Sequence, residues 1–217
     1  MKMEKYLTET IGTFFLVLTI GLTVVGGSPY APIAIGSVLM VMVYMGGHIS
    51  GGHFNPAVSL AVWFRGKLSG ADFVWYMIAQ VFGAFLAAAA VLYITGKTFA
   101  GPAPAVGVST TKALLVEFLF TFALALVVLN TATAKRTANN SYFGLAIGFT
   151  VLAGAFAGGP ISGGAFNPAV GFGPLLIHTM AGGGSMQHLW LYLVGPFLGG
   201  AVAATVFNIQ NSGESAS

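Results

Sequence analysis

Six long apolar segments alternate with short polar or glycine-rich loops along the chain. A helix of about 20 residues crosses the ~30 Å hydrocarbon core of a bilayer, so each segment is predicted to be a transmembrane helix. The predicted spans are about 6–25, 31–47, 73–94, 113–131, 142–157 and 188–209.

Two further apolar segments are too short to cross. The segment 56–64, at ~1.5 Å per residue, covers about half of the core. Arg65 and Lys67 follow it, so we expect this half-helix to return to the side from which it came. A second short segment runs from Pro168 to about residue 177 and predicts a second re-entrant half-helix.

Each short segment starts within a motif that the chain uses twice. The motifs are ISGGHFNPAV at 49–58 and ISGGAFNPAV at 161–170, and they differ only at His53 and Ala165. Ser-Gly-Gly suits tight backbone turns, and Asn-Pro suits a helix start with Asn as the cap and Pro in the first turn. Both motifs therefore predict the N-terminus of a half-helix.

The order of these features repeats in the two halves of one transmembrane domain, residues 1–217. Glu9 near the start of the first span is matched by Glu117 in the fourth span. Repeat one covers about 1–108 and repeat two about 109–217. Because three spans per repeat is an odd number, the second repeat must lie inverted in the bilayer. The predicted fold is all-α, with two half-helices that enter from opposite faces and meet near the midplane.

Composition places the chain in a membrane. Charged residues make up 6% and hydrophobic residues 56%, with a mean hydropathy of +0.87, whereas a soluble domain is about 25% charged. With 0 cysteines there is no disulfide framework or thiolate metal site. A net charge of +3 gives no basis for nucleic-acid binding. No catalytic constellation is visible, and we expect neither enzyme activity nor a cofactor.

Positive charge predicts the orientation of this multi-pass protein. The first span is long enough to cross and no A-x-A-like site follows it, so we expect a retained helix rather than a signal peptide. Cytoplasmic loops of membrane proteins are enriched in basic residues. In the predicted topology only two basic residues, Lys97 and Lys112, fall on the side opposite the termini. We expect both termini to be cytoplasmic, in the cell membrane, because six basic residues fall on their side: Lys2, Lys5, Arg65, Lys67, Lys135 and Arg136.

Two abutting half-helix N-termini predict a path for neutral solutes. Each end carries about half a positive charge and several unpaired N–H groups, so cations and protons meet a barrier. Asn55 and Asn167 can cap and still offer an N–H to an oxygen-bearing solute, while carbonyls of the Ser-Gly-Gly-x-Phe strands act as acceptors. The arrangement predicts a file for water or another small uncharged molecule.

Paired Asn-Pro-Ala boxes after Ser-Gly-Gly, within inverted three-helix repeats, resemble the aquaporin (major intrinsic protein) family over essentially the whole chain. The resemblance implies one pore per protomer in a homotetramer within the lipid bilayer. It also implies that Asn55 and Asn167 form the central pair, and that Glu9 and Glu117 hold the motif loops by hydrogen bonds. Intramembrane acids can also couple protons, but their symmetric placement favours bracing.

Matching by motif distance puts the family's selectivity filter at Ile35, Ala155, Gly164 and Val170. Many water-selective members have Arg where this chain has Val170, so the predicted filter is wide and apolar. Valine at this position resembles plant tonoplast intrinsic members, which are associated with ammonia and urea passage as well as water. Glycerol facilitators usually carry Asp next, where this chain has Gly171, which weakens the glycerol interpretation without excluding it.

The predicted function is a passive channel for water and small uncharged solutes that excludes ions and protons. The alternative within this class is a facilitator for ammonia, urea, glycerol or hydrogen peroxide that carries little water. An ion-coupled transporter would share the inverted repeat, but it needs coupling acids at the midplane, and only the two bracing candidates are available. His48 and His53 are predicted at the cytoplasmic vestibule, where pore lining, loop packing and pH sensing are all open.

Overall fold

The computed structural model describes residues 2–213; Met1 and residues 214–217, at the ends of the predicted channel domain, lie outside the described residues. Six helices of the described part are long and apolar enough to cross a membrane, and two are short, which confirms the predicted fold class. The helices are α1 (Met3–Val25), α2 (Ala31–Ser50), α3 (Pro56–Phe64), α4 (Gly70–Thr95), α5 (Thr110–Val128), α6 (Phe143–Ser162), α7 (Pro168–Met180) and α8 (Leu189–Gln210).

The half-helix α3 has the predicted ends, whereas α2 and α6 run further than predicted. Helix α2 continues to Ser50 instead of ending near residue 47, and α6 continues to Ser162 instead of about 157. Each helix ends at a glycine in the left-handed conformation, Gly51 at φ 92° and Gly163 at φ 90°. The serine of each motif is therefore the last residue of a helix, and the following glycine turns the chain back toward the centre.

Helices of the two repeats pack in equivalent pairs. Helix α1 packs on α2 and α4, and α5 packs on α6 and α8. A Cβ on Gly83 would lie 2.4 Å from the carbonyl oxygen of Thr10, and a Cβ on Gly199 would lie 2.6 Å from that of Phe118. Glycine thus allows the same close backbone approach in both repeats, as in other helix pairs in lipid.

Contacts at the helix ends identify two sides of the bundle. The start of α1 meets the start of α4 through a hydrogen bond from Tyr6 to Asp72, and Asn130 after α5 bonds Gln210 at the end of α8. We call this the terminal side, since α1 begins and α8 ends there. The loop 96–109 and the end of α7 lie on the opposite side, which we call the far side.

The half-helices start in the centre and run in opposite directions. Helix α3 packs on α8, where Gly200 leaves room for the backbone of Ala57. Helix α7 packs on α4, where Gly173 lies against the backbone of Ala84. Their N-termini are buried next to each other, where the side chain of each motif asparagine reaches the backbone of the other motif.

Candidate pore and its motif loops

Both motif asparagines cap their half-helices. Asn55 and Asn167 have extended backbones, with φ −157° and −158°, and the Oδ1 of each accepts the backbone N–H two residues later at 2.9 Å. The Nδ2 of Asn55 donates to the carbonyl of Phe166 at 2.8 Å, and that of Asn167 donates to the carbonyl of Phe54 at 2.8 Å. An amide carries two hydrogens, so each asparagine keeps one hydrogen that has no partner among the described residues.

The phenylalanine before each asparagine has an unusual backbone conformation. Phe54 has φ 49° and Phe166 has φ 48°, in the left-handed region that bulky residues rarely occupy. Both rings are buried in slots left by glycines: a Cβ on Gly12 would lie 2.1 Å from the Phe54 ring, and one on Gly158 would lie 2.9 Å from the Phe166 ring. Such strain persists where the surroundings hold it in place, and it turns each Phe carbonyl toward the opposite asparagine.

The carboxylate of Glu9 is fully buried and accepts four hydrogen bonds. Its Oε1 accepts from the Ser50 hydroxyl at 2.6 Å and from the His53 N–H at 3.0 Å. Its Oε2 accepts from the Phe54 N–H at 2.7 Å and from the side-chain amide of Gln80 at 2.8 Å. Three of these four donors belong to the first motif, so Glu9 of α1 is tied to that motif loop.

Glu117 makes three equivalent bonds in the second repeat, where it is also fully buried. Its Oε1 accepts from the Ser162 hydroxyl at 2.7 Å and the Ala165 N–H at 3.0 Å, and its Oε2 accepts from the Phe166 N–H at 2.7 Å. A fourth donor like Gln80 is missing at the corresponding place, residue Pro196. Neither Glu9 nor Glu117 is among the described residues that line the central cavity.

A cavity of about 460 Å³ runs past the asparagine pair. It extends from Val24 and Ala31 at the far side to Val128 toward the terminal side, and both asparagines line it. The four positions predicted for the filter also line this one cavity: Ile35, Ala155, Gly164 and Val170. Their side chains are apolar or absent, so the charge and donors that an arginine would supply are missing at that level.

The two predicted vestibule histidines occupy different places. His53 is 8% exposed, lines the cavity, and is the one ionisable side chain among the described lining residues. His48 is exposed on the last turn of α2 and is not among those lining residues. The structure therefore brings His53, and not His48, to the central cavity.

Loop residues at the far side were not anticipated from the sequence. Gly101, Pro102 and Ala103 line the cavity together with the filter positions. The loop is held by a hydrogen bond from the Ala105 N–H to the carbonyl of Ile161, 3.0 Å long, and a Cβ on Gly163 would lie 2.6 Å from the Ala103 nitrogen. The glycine and proline content of this segment indicated a loop, but nothing in it indicated where the loop would lie.

Comparison with known proteins gives relatives over nearly the full chain. Residues 1–207 match the family model described as Major intrinsic protein. The chain is 38% identical to aquaporin NIP1-1 of Oryza sativa subsp. japonica, covering 95% of this chain and 74% of that protein. It is 36% identical to glycerol uptake facilitator protein-like 6 of Lactiplantibacillus plantarum, covering 97% and 99%. It is 35% identical to nodulin-26 of Glycine max, covering 95% and 78%.

These similarities correct one expectation and support the fold. Val170 alone suggested the tonoplast intrinsic members, but over the whole chain these relatives are NIP-type aquaporins and a glycerol facilitator-like protein, because a single filter residue says little about descent. In fold, the chain resembles the aquaglyceroporin from Plasmodium falciparum, with a TM-score of 0.85 at 22% identity over 96% of both chains. The chain belongs to the major intrinsic protein family, whose members are membrane channels and not enzymes.

Proposed function

We propose that this protein is a passive channel for water and small uncharged solutes that excludes ions and protons. The observation that carries the proposal is the position of the two capping asparagines, each bonded to the opposite motif and each lining the same long cavity. A solute in this cavity passes two N–H donors at the meeting point of two half-helix N-termini. Each of these ends carries about half a positive charge, which opposes the passage of cations and proton carriers.

We assign the filter to Ile35, Ala155, Gly164 and Val170. All four line the far part of the cavity and none is charged. Ammonia, urea, hydrogen peroxide and glycerol are therefore candidate solutes along with water. The glycerol candidate is supported by the printed name of the Lactiplantibacillus plantarum relative. The second candidate function is a facilitator with little water transport. It is favoured by the apolar lining at the filter, where few groups can replace the hydrogen bonds that a water molecule loses on entering the cavity.

Glu9 and Glu117 brace the motif loops in this proposal and do not couple protons. Their carboxylates accept seven hydrogen bonds between them, six from the motifs and one from Gln80. A coupling acid needs access to the solute path, and neither residue lines the cavity. The same reasoning leaves cation exclusion to the two half-helix ends, because the filter has no fixed charge.

The assembly and orientation complete the proposal. One channel domain of two inverted repeats, about 1–108 and 109–217, forms one pore, and four copies form a homotetramer. The terminal side is cytoplasmic, because Arg65, Lys67, Lys135 and Arg136 lie on that side while Lys97 and Lys112 lie on the other. We place the channel in the cell membrane.

Val170→Arg tests the filter. The arginine would place a long cationic side chain in the cavity at the level of the proposed filter, so urea and ammonia permeability should fall while much of the water permeability stays. The measurement is stopped-flow light scattering on proteoliposomes under osmolyte, urea and ammonia gradients, with Val170→Leu as the apolar control. Unchanged solute flux in a folded variant would refute the assignment of Val170, and flux of the unaltered protein that required a proton or sodium gradient would refute the channel.

A further inference from the structure

One polar cluster occurs in the first repeat and has no counterpart in the second. His53, Ser59 and Gln80 form it, together with Glu9. The motif offset of 112 residues (167 minus 55) pairs His53 with Ala165 and Ser59 with Gly171, and neither of these side chains can form a hydrogen bond. The pore of this protein is consequently asymmetric on the two sides of the asparagine pair.

The four side chains form a continuous chain of hydrogen bonds. Nε2 of Gln80 lies 2.8 Å from Oε2 of Glu9 and 2.9 Å from Oγ of Ser59, and Oγ of Ser59 lies 3.1 Å from Nδ1 of His53. Glu9, Ser59 and Gln80 are 0% exposed, and His53 is 8% exposed. The chain thus begins at a buried brace in α1 and ends at the one residue of the four that lines the cavity.

The donors around Glu9 determine which end of the Gln80 amide points toward it. The bonds of 2.6 Å from the Ser50 hydroxyl and 2.7 Å from the Phe54 N–H have the lengths of charge-assisted bonds to a carboxylate. A carboxylate only accepts, so Gln80 presents its NH₂ group to Glu9. If the amide were turned, its carbonyl oxygen would face the carboxylate oxygen. In the observed orientation that carbonyl has no hydrogen-bond partner among the described residues.

The orientation of the Gln80 amide determines the direction of the hydrogen bonds from Gln80 to Ser59 and from Ser59 to His53. The second hydrogen of the Gln80 NH₂ group goes to Ser59, whose oxygen therefore accepts. A hydroxyl has a single hydrogen to give, and the Ser59 hydrogen is left for Nδ1 of His53. Because Nδ1 accepts, the ring proton of neutral His53 resides on Nε2. Nε2 has no partner within the described chain, and it lies beside Gly51, where a Cβ would come within 2.9 Å of it.

We propose that Gln80 and Ser59 are positioning residues that hold His53 in its Nε2–H tautomer, so that His53 acts as a third donor to solutes on the terminal side of Asn55 and Asn167. The Glu9 carboxylate fixes the donor direction of Gln80, which fixes that of Ser59 and so the tautomer of His53 at the cavity. Gly51 has no side chain and leaves the space in front of Nε2 open. The role in solute passage rests on the proposed function, whereas the tautomer does not.

The tautomer is measured directly by ¹⁵N solid-state NMR on histidine-labelled protein in lipid bilayers, with the His53 signals assigned from their loss in His53→Ala. We expect the Nε2–H form alone in the unaltered protein. Gln80→Glu puts an oxygen where Nε2 of Gln80 stands, 2.8 Å from Oε2 of Glu9. Two carboxylates this close cannot both ionise, so the new carboxyl group binds a proton and donates it to Glu9. The same oxygen accepts from Ser59, whose own oxygen then accepts from the ring, so the signal should change to the Nδ1–H form.

Two further variants and a control complete the experiment. Ser59→Ala and Gln80→Met interrupt the chain of hydrogen bonds without reversing its direction, so both should give mixed tautomers of His53. These two variants test the positioning role if Gln80→Glu does not fold. Glu117→Gln weakens a motif brace of the second repeat, which has no link to His53, and should leave the Nε2–H form unchanged. An Nδ1–H form in the unaltered protein, or a single Nε2–H form in the folded Ser59 and Gln80 variants, would overturn the proposal.

Flux measurements separate this inference from the proposed function. In Ser59→Ala proteoliposomes, part of the His53 population keeps the Nε2–H donor, so water and urea permeability should fall by less than the about fivefold that complete loss of one ordinary hydrogen bond would give. If the unaltered protein passes neither water nor neutral solutes although His53 has the expected tautomer, the proposed function fails and the positioning role stands. If flux is normal but the tautomer is wrong, the positioning role fails and the channel stands.

Discussion

Replacing Glu117 by Leu would remove the brace of the second motif while keeping the helix. The variant would leave the backbone N–H groups of Ala165 and Phe166 buried with no acceptor, since both now donate to Glu117. The Ser162 hydroxyl would suffer less, because it also lies 3.4 Å from the carbonyl of Gly158 and can turn to it.

The cost follows from these contacts. A buried donor left without its partner costs about 1–3 kcal/mol, so the two backbone N–H groups predict a loss of about 2–6 kcal/mol in the free energy of unfolding. The left-handed backbone of Phe166, at φ 48°, does not enlarge this loss, because its strain of order 1–3 kcal/mol is present in the folded state with or without the brace. In Glu117→Gln, the better orientation of the new side-chain amide keeps two of the three hydrogen bonds. This variant should lose only about 1–3 kcal/mol in the free energy of unfolding.

The assay is unfolding of the purified protein by SDS in mixed micelles, followed by tryptophan fluorescence, with water flux in proteoliposomes as the second readout. Glu9→Leu is the partner variant, and it should be destabilised more than Glu117→Leu because Gln80 loses its acceptor as well. A loss of under ~1 kcal/mol for Glu117→Leu would refute the bracing role. Folded, stable Glu117→Gln protein that lost its flux would favour proton coupling instead.

Two further substitutions test the centre of the molecule. Gly12→Ala puts a methyl group 2.1 Å from the ring of Phe54, so it should cost about 1–3 kcal/mol of stability by overpacking, while Gly159→Ala, with nothing within 4 Å, should be neutral or stabilising in the same unfolding assay. Asn167→Ala removes a cap and leaves the Phe54 carbonyl without its donor; it should lose about 2–4 kcal/mol and also reduce water flux, and full flux with unchanged stability would contradict its place in the pore.

Local chemistry explains where the sequence-based prediction of the helices succeeded and where it was wrong. Helix α3 has the predicted ends because Asn-Pro starts a helix and Arg65 follows the last apolar residue. The ends of α2 and α6 were placed too early, directly after Gly46-Gly47 and directly before Gly158-Gly159, because a glycine pair is typical of a helix end. Both helices continue to a serine, Ser50 or Ser162, that donates to a glutamate of another helix, and such a contact between distant residues cannot be read from the local sequence.

The candidate filter positions depended on motif distance, which works only for residues near a motif. Ile35, Ala155, Gly164 and Val170 all line one cavity. The loop residues 101–103 line it too, but their place depends on the bond from Ala105 to Ile161, which joins residues far apart in the sequence. The left-handed backbone conformation of Phe54 likewise could not be predicted from the sequence, because no local preference of phenylalanine favours it.

The sequence by itself determined that this chain is a membrane protein of two inverted repeats with a capped half-helix in each, because hydrophobic length and helix-capping chemistry are local properties. The tertiary structure decided which hydrogen-bonding groups reach the central cavity. Glu9, His53 and Gln80 are separated by tens of residues, and only their packing directs one hydrogen bond after another toward Nε2 of His53. Hydrogen-bond direction depends on every partner at once, so it emerges only when the partners are folded together.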